Sequence, residues 1–160
     1  MPYYRIKLEV ERYVQACGLP WTILRTTQFH NLVFELIRAS ARFPIMLLPA
    51  STSCQPVDVR DVASRLAALV GSGPAGRLPD LGGPQVLPAI DLAYDYLQVF
   101  ERRRIVLPVR IPGKIGRGYR NGGHLTPEHA DGRRSFHNFL LEESQKPTRT
   151  PLDANEARQA

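Results

Sequence analysis

Trp21-Thr22-Ile23-Leu24-Arg25-Thr26-Thr27-Gln28-Phe29-His30 decides the fold, because its apolar start, opened by Gly18-Leu19-Pro20, reads as a buried strand. Residues Pro2 to Ala16, just before it, predict a helix. Gly18 stops that helix by allowing positive φ, and Pro20 prevents its continuation. Ile6, Val10, Tyr13 and Val14 make the helix amphipathic, and its apolar face is expected to pack on Trp21 to Leu24. Helix, turn and strand form an α/β unit. Tyr3 and Lys7 lie four residues apart, so both side chains project from one helix face and an ammonium can sit beside a phenol. A nearby cation favours phenolate, which makes the phenol a better proton donor and acceptor near neutral pH.

These residues also carry a resemblance. Tyr3-Tyr4-Arg5-Ile6-Lys7-Leu8-Glu9-Val10-Glu11, followed by Cys17-Gly18-Leu19-Pro20-Trp21-Thr22-Ile23-Leu24-Arg25, is similar to the second half of an atypical short-chain dehydrogenase/reductase of the NmrA-like type. Tyr3-x-x-x-Lys7 matches that superfamily's YxxxK pair, a weak motif alone that gains specificity from the strand after it. Gln55-Pro56-Val57-Asp58-Val59-Arg60-Asp61-Val62-Ala63 resembles the segment introducing the family's late helix, and Pro79-Asp80-Leu81-Gly82-Gly83-Pro84 the strand and turn beyond it.

The resemblance implies an α/β fold: the C-terminal portion of a Rossmann-like parallel sheet with a small substrate-side α/β subdomain, over residues 1–141. Residues 142–160 form a polar tail without aromatic or β-branched aliphatic residues, expected to be disordered. The implied cofactor is NAD(P) and the implied substrate a small carbonyl or alcohol. Tyr3 would exchange the proton, and Lys7 would hold the nicotinamide ribose and lower the phenol pKa. Thr26, Thr27, Gln28 and Phe29 would lie beside the nicotinamide, since such folds keep ligands at the carboxyl edge of the sheet. Related proteins include dinucleotide-binding regulators without turnover, and nucleotide-sugar epimerases and reductases. The Gly-rich strand–turn–helix that cradles the pyrophosphate in such folds does not occur in the sequence. The expectation is a chain lacking the nucleotide-binding half, which alone binds NAD(P) weakly or not at all.

Composition sets wider bounds. A length of 160 residues, 43% hydrophobic and 8% aromatic, suits one globular domain or most of one. No apolar run reaches membrane-spanning length and no signal peptide opens the chain, so a cytoplasmic protein without a membrane partner is expected. Homo-oligomerisation stays open. Cys17 and Cys54 lack metal or redox spacing and read as buried small apolar residues. The net charge is +6, and the basic residues from Arg102 to Arg120 meet no acid after Glu101. That run argues for a polyanion, but its single aromatic and lack of any nucleic-acid module favour a solvated basic face.

Further along, Gln28 to Arg42 carries a helical stripe of Leu32, Val33, Leu36, Ile37 and Ala41. Ile45 to Leu48 reads as a strand and Ser51 to Ser53 as a loop. Asp58 should cap a helix whose Val59, Val62, Ala63, Leu66, Leu69 and Val70 face inward. Leu78 to Leu81 predicts a strand, Pro88 to Phe100 a helix burying Ile90, Ala93, Leu97 and Phe100, and Ile105 to Val109 another strand. Gly113-Lys114-Ile115-Gly116-Arg117-Gly118 has the wrong spacing for a phosphate loop, and the resemblance makes it a helix. His124, His129 and His137 are too irregular for a metal site and read as surface or capping residues.

Overall fold

In the computed structural model, the structure describes the backbone of residues 2–146 and the side chains of residues 5–113 and 116–146. Helix α1 (Pro2–Ala16) ends at Gly18, where φ is +73°, and the chain returns as strand β1 (Thr22–Ile23). Helix α2 (His30–Ser40) and strands β2 (Ile45–Pro49) and β3 (Ser53–Cys54) follow, then helix α3 (Val59–Val70). Strands β4 (Gly76–Arg77) and β5 (Leu87–Pro88) lead to helix α4 (Ala89–Val99), strand β6 (Ile105–Val109), helix α5 (Gly113–Arg120) and helix α6 (Phe136–Ser144).

Two parallel pairs and one antiparallel pair make up the sheet structure: β1 with β4, β2 with β6, and β3 against β5. The β1–β4 pairing extends beyond its two-residue core. Leu81 N–H donates to Arg25 O at 2.8 Å, and Thr27 N–H donates to Leu81 O at 3.1 Å. The same segment then changes partner, with His30 N–H reaching Val57 O and Val57 N–H reaching Gln28 O. Trp21 to Phe29 thus runs extended into α2; the strand expected at Trp21 to Leu24 is present, half-buried rather than buried, and β4 is the only strand paired with β1 among the described residues.

The apolar interior is unequally divided. One cluster joins Val33, Phe34 and Ile37 of α2, Met46 and Leu48 of β2, Leu92, Ala93, Tyr96 and Leu97 of α4, and Phe136, Phe139 and Leu140 of α6. Phe34 holds its centre, with the Tyr96, Phe100 and Phe139 rings each 5.8 Å away between centroids. The second cluster, between β1, β4 and α3, contains only Val57, Val62 and Leu81, with Leu24 against it.

Several expectations are corrected here. On α3 only Val62 is buried; Val59, Leu66 and Val70 are exposed, Val70 by 85%. The apolar face of α1 is likewise uncovered at Ile6, Val10 and Tyr13, so it does not pack on Trp21 to Leu24 as expected. On α2, Leu32 and Leu36 are exposed while Phe34 takes the core position. In α4, Leu92 and Tyr96 are buried, and Ile90 and Phe100 lie at the cluster's margin. Cys17 is exposed and Cys54 half-buried, where burial raises its thiol pKa. Helix α6 runs past Leu141 to Ser144, and Glu142 is engaged by Arg60 at 2.8 Å. The rest of the expected tail, 147–160, lies outside the described residues. The Asp58 cap is as expected, its carboxylate accepting from Arg60 N–H at 2.7 Å, and Gly113 does begin a helix.

Candidate functional site at the carboxyl edge of the β1 and β4 strands

Arg25 fixes α1 to the strand beside it. Its Nε donates to Glu11 Oε1 at 2.8 Å and its Nη2 to Glu11 Oε2 at 2.5 Å, a bidentate pair that lowers the carboxyl pKa. Glu11 lies five residues before the end of α1, and Arg25 lies just after β1, so helix and strand run in opposite directions. Lys7 lies one turn earlier on the helix face of Glu11. Lys7 is exposed. Tyr3 lies a further turn along in the backbone of α1, and its side chain lies outside the described residues.

At that edge Thr26 is half-buried, Thr27 buried, Gln28 half-buried and Phe29 exposed. Thr27 Oγ1 donates to Gln55 O at 2.5 Å and accepts from Gly83 N–H at 3.3 Å. Gln28 Nε2 donates to His124 O at 3.2 Å, and its Oε1 accepts from Gln55 N–H at 3.2 Å. The polar groups of Thr27 and Gln28 thus join chain segments, while Thr26 and Phe29 keep accessible surface.

Gln55 is the hub of this network and was not singled out from sequence. Its side chain is fully buried; Nε2 donates to Gly83 O at 3.0 Å and to Thr126 O at 3.1 Å, and Oε1 accepts from Thr126 N–H at 2.8 Å. His124 Nε2 donates to Ser53 O at 2.8 Å, and its ring meets Tyr119 at 4.6 Å between centroids. The signal available in sequence was Gly82-Gly83 before Pro84, which marks a close backbone approach without saying to what. Among the described residues, no group of three or more His, Cys, Asp or Glu side chains is placed to hold a metal ion.

His30 underlies the edge and is fully buried between Phe136 and Phe139. Nε2 lies 3.0 Å from Pro56 O and so carries the proton of the neutral ring, while Nδ1 has no hydrogen-bond partner and sits 3.7 Å from Asp58 Oδ2. Burial lowers the His30 pKa, against weaker opposing effects of the Pro56 carbonyl and the Asp58 charge. Asp58 is held ionised chiefly by its side-chain hydrogen bonds from Arg60. A histidine whose folded pKa is depressed contributes fully above its unfolded value of about 6.5, and that contribution is lost as pH falls toward the folded value. The urea midpoint of unfolding should therefore drop on acidification from pH 7.5 to 5, before carboxylates titrate. His30→Phe should flatten that drop, and an unchanged slope would exclude His30 as its source.

No protein-family model matches the chain, and no curated protein matches it by sequence. Solved structures do match in fold. A nucleoside-diphosphate-sugar epimerase from Staphylococcus aureus aligns with a TM-score of 0.60 at 13% identity, over 81% of this chain and 55% of its own. dTDP-glucose 4,6-dehydratase from Bacillus anthracis, in complex with NAD, aligns at 0.55 and 13%, over 87% and 48%. NmrA, a negative transcriptional regulator, aligns at 0.54 and 15%, over 96% and 59%. The chain spans about half the length of these structures. Its fold is the mixed α/β, parallel-stranded, Rossmann-like arrangement of these proteins.

Proposed function

We propose that the chain is the C-terminal, substrate-side part of an NAD(P)-dependent oxidoreductase of the atypical short-chain type, acting on a small carbonyl or alcohol and not competent alone. The observation that supports this reading is the Glu11–Arg25 pair, which ties the helix carrying Tyr3 and Lys7 to the strand that leads into Thr26 to Phe29. The residues present suit only the nicotinamide end of the cofactor: Lys7 for the ribose, Thr26 and Phe29 for the ring's surroundings. Among the described residues no Gly-rich strand–turn–helix offers amides to a pyrophosphate.

NAD(P), when bound, supplies or accepts a hydride. Tyr3 then gives its phenolic proton to the oxygen of the reduced carbonyl, or takes it back in the reverse direction. Lys7 would hold the nicotinamide ribose beside that phenol. The uncovered apolar faces of α1 and α3, with β1 paired to one strand among the described residues, support the need for a nucleotide-binding half.

Titrating the 160-residue chain with NADPH should give no saturable binding in the micromolar range, and micromolar or tighter affinity would overturn the incompetence of the isolated chain. When the nucleotide-binding half is supplied, Tyr3→Phe should cut turnover by roughly 10²–10⁴-fold while sparing cofactor affinity. Unchanged turnover would remove Tyr3 from the mechanism. A second reading, an NAD(P)-sensing regulator without catalysis, is favoured by the extent of the NmrA match, which takes in 96% of this chain. It predicts cofactor binding by the completed protein and no turnover with or without Tyr3.

A further inference from the structure

The β2–β6 pair has an inner face against the large cluster and an outer face that is apolar and open. Alternation along a strand sends Met46 and Leu48 inward and Ile45 and Leu47 outward. The parallel register sets Ile45 beside Ile105 and Leu47 beside Leu107, so four aliphatic side chains form one outer patch. The end of α2 and the turn after it wall this patch on one side, and Phe43, 65% exposed, stands at the wall. The result is an open, apolar-lined groove of about 690 Å³ between Ala39, Ser40, Phe43 and Pro44 on one side and Ile45, Leu47 and Leu107 on the other.

Arginines flank the groove-lining segments along the chain. Arg42 precedes Phe43; Arg103 and Arg104 precede Ile105; Arg110 follows Val109. The Arg104 guanidinium caps the end of α2, donating to Ala41 O at 2.8 Å and to Arg103 O at 2.7 Å. Arg42, Arg103 and Arg110 are exposed. Glu101 is the acid next to Arg102 in sequence, and Glu35 on α2 is paired with Arg38 at 2.9 Å.

Four occupants can be weighed. The chain's own residues 147–160 contain Leu152 as their single large aliphatic and so lack an apolar stripe to fill the groove. A second copy would bring Arg42, Arg103 and Arg110 against their own equivalents, like charges at a desolvated rim. A flat bilayer surface would meet the exposed Phe43 first and offers no ridge to lie along the seam between Ile45–Leu47 and Ile105–Leu107. An amphipathic helix satisfies both features, with its apolar ridge in the groove and acidic residues against the arginines.

We infer that the outer face of β2–β6 is a docking groove for an acidic amphipathic helix of a partner protein. The test uses a fluorescein-labelled 18-residue peptide with leucines at helical i, i+3, i+4, i+7 spacing and glutamates elsewhere, titrated by anisotropy. A counterpart with lysine replacing each glutamate is the control. The acidic peptide should bind at least tenfold more tightly than the basic one. Leu47→Asp and Leu107→Asp, both at exposed positions, should each lose tenfold or more with circular dichroism unchanged. Arg42→Glu with Arg103→Glu should weaken binding several-fold and flatten its salt dependence, and this variant carries the test should an aspartate variant fail to fold. Ile6→Asp on α1 should bind as the parent does. Equal affinity for both peptides, no binding, pelleting with phosphatidylglycerol vesicles without peptide binding, or a sedimentation dimer that Leu47→Asp dissociates would each overturn the proposal.

Discussion

Replacing Gly83 by alanine should unfold the chain or leave it barely stable. A Cβ at this position would stand 1.7 Å from Pro56 O and 2.4 Å from its carbonyl carbon, far inside the roughly 3.5 Å optimum for non-bonded contact. The atom it meets is backbone, and that backbone is fixed on both sides. Gln55 N–H and O are bonded to Gln28 and Thr27, and Val57 bridges to Phe29. Relief requires the turn to leave the Gln55 to Val57 segment, which would break the Thr27–Gly83 and Gln55–Gly83 bonds together. The expected cost is roughly 4 kcal/mol or more, a large share of a typical total of about 5–15 kcal/mol. Chemical denaturation monitored by circular dichroism reads it directly. A midpoint equal to that of the parent would mean the turn does not seat against Pro56.

Gln55→Ala comes next in size. Truncation strands three backbone groups, the buried carbonyl of Gly83 and the half-buried carbonyl and amide of Thr126. Each orphaned group costs on the order of 1–3 kcal/mol, and partial rescue by water entering the space brings the expected total to roughly 3 kcal/mol. Gln55→Glu separates size from hydrogen bonding, because a carboxylate still accepts from Thr126 N–H but cannot donate to either carbonyl. It should be as damaging as alanine despite the preserved volume. If glutamate restored the parent midpoint, packing rather than amide donation would be the role of Gln55.

These two residues illustrate what the sequence could and could not convey. Local chemistry was legible: Gly18 and Pro20 end α1, Asp58 caps α3, and the apolar run from Trp21 pairs as an extended segment. The parallel α/β character followed from that run, its preceding helix and the later segments. Burial was less legible, because helical periodicity tells which residues share a face and not whether anything lies against it. Val59, Leu66 and Val70 form a true stripe on α3 and remain exposed. Leu32 and Leu36 lost the α2 core to Phe34 for a related reason: two apolar faces competed and the position of α4 and α6 chose between them. Within the candidate site, Thr27 and Gln28 were visible as polar residues at a strand end. Their commitment to Gln55, Gly83 and His124 depends on contacts 27 to 96 residues away in sequence, which spacing alone does not encode.

The unequal division of the apolar interior leaves one part of the chain without the shelter the rest acquires on folding. Helix α1, with Ile6, Leu8, Val10 and Tyr13, stays bare while the helices around the large cluster are docked. A nascent chain of this design presents a lasting chaperone-type recognition stretch, and its lifetime in a cell depends on how soon something shields that helix.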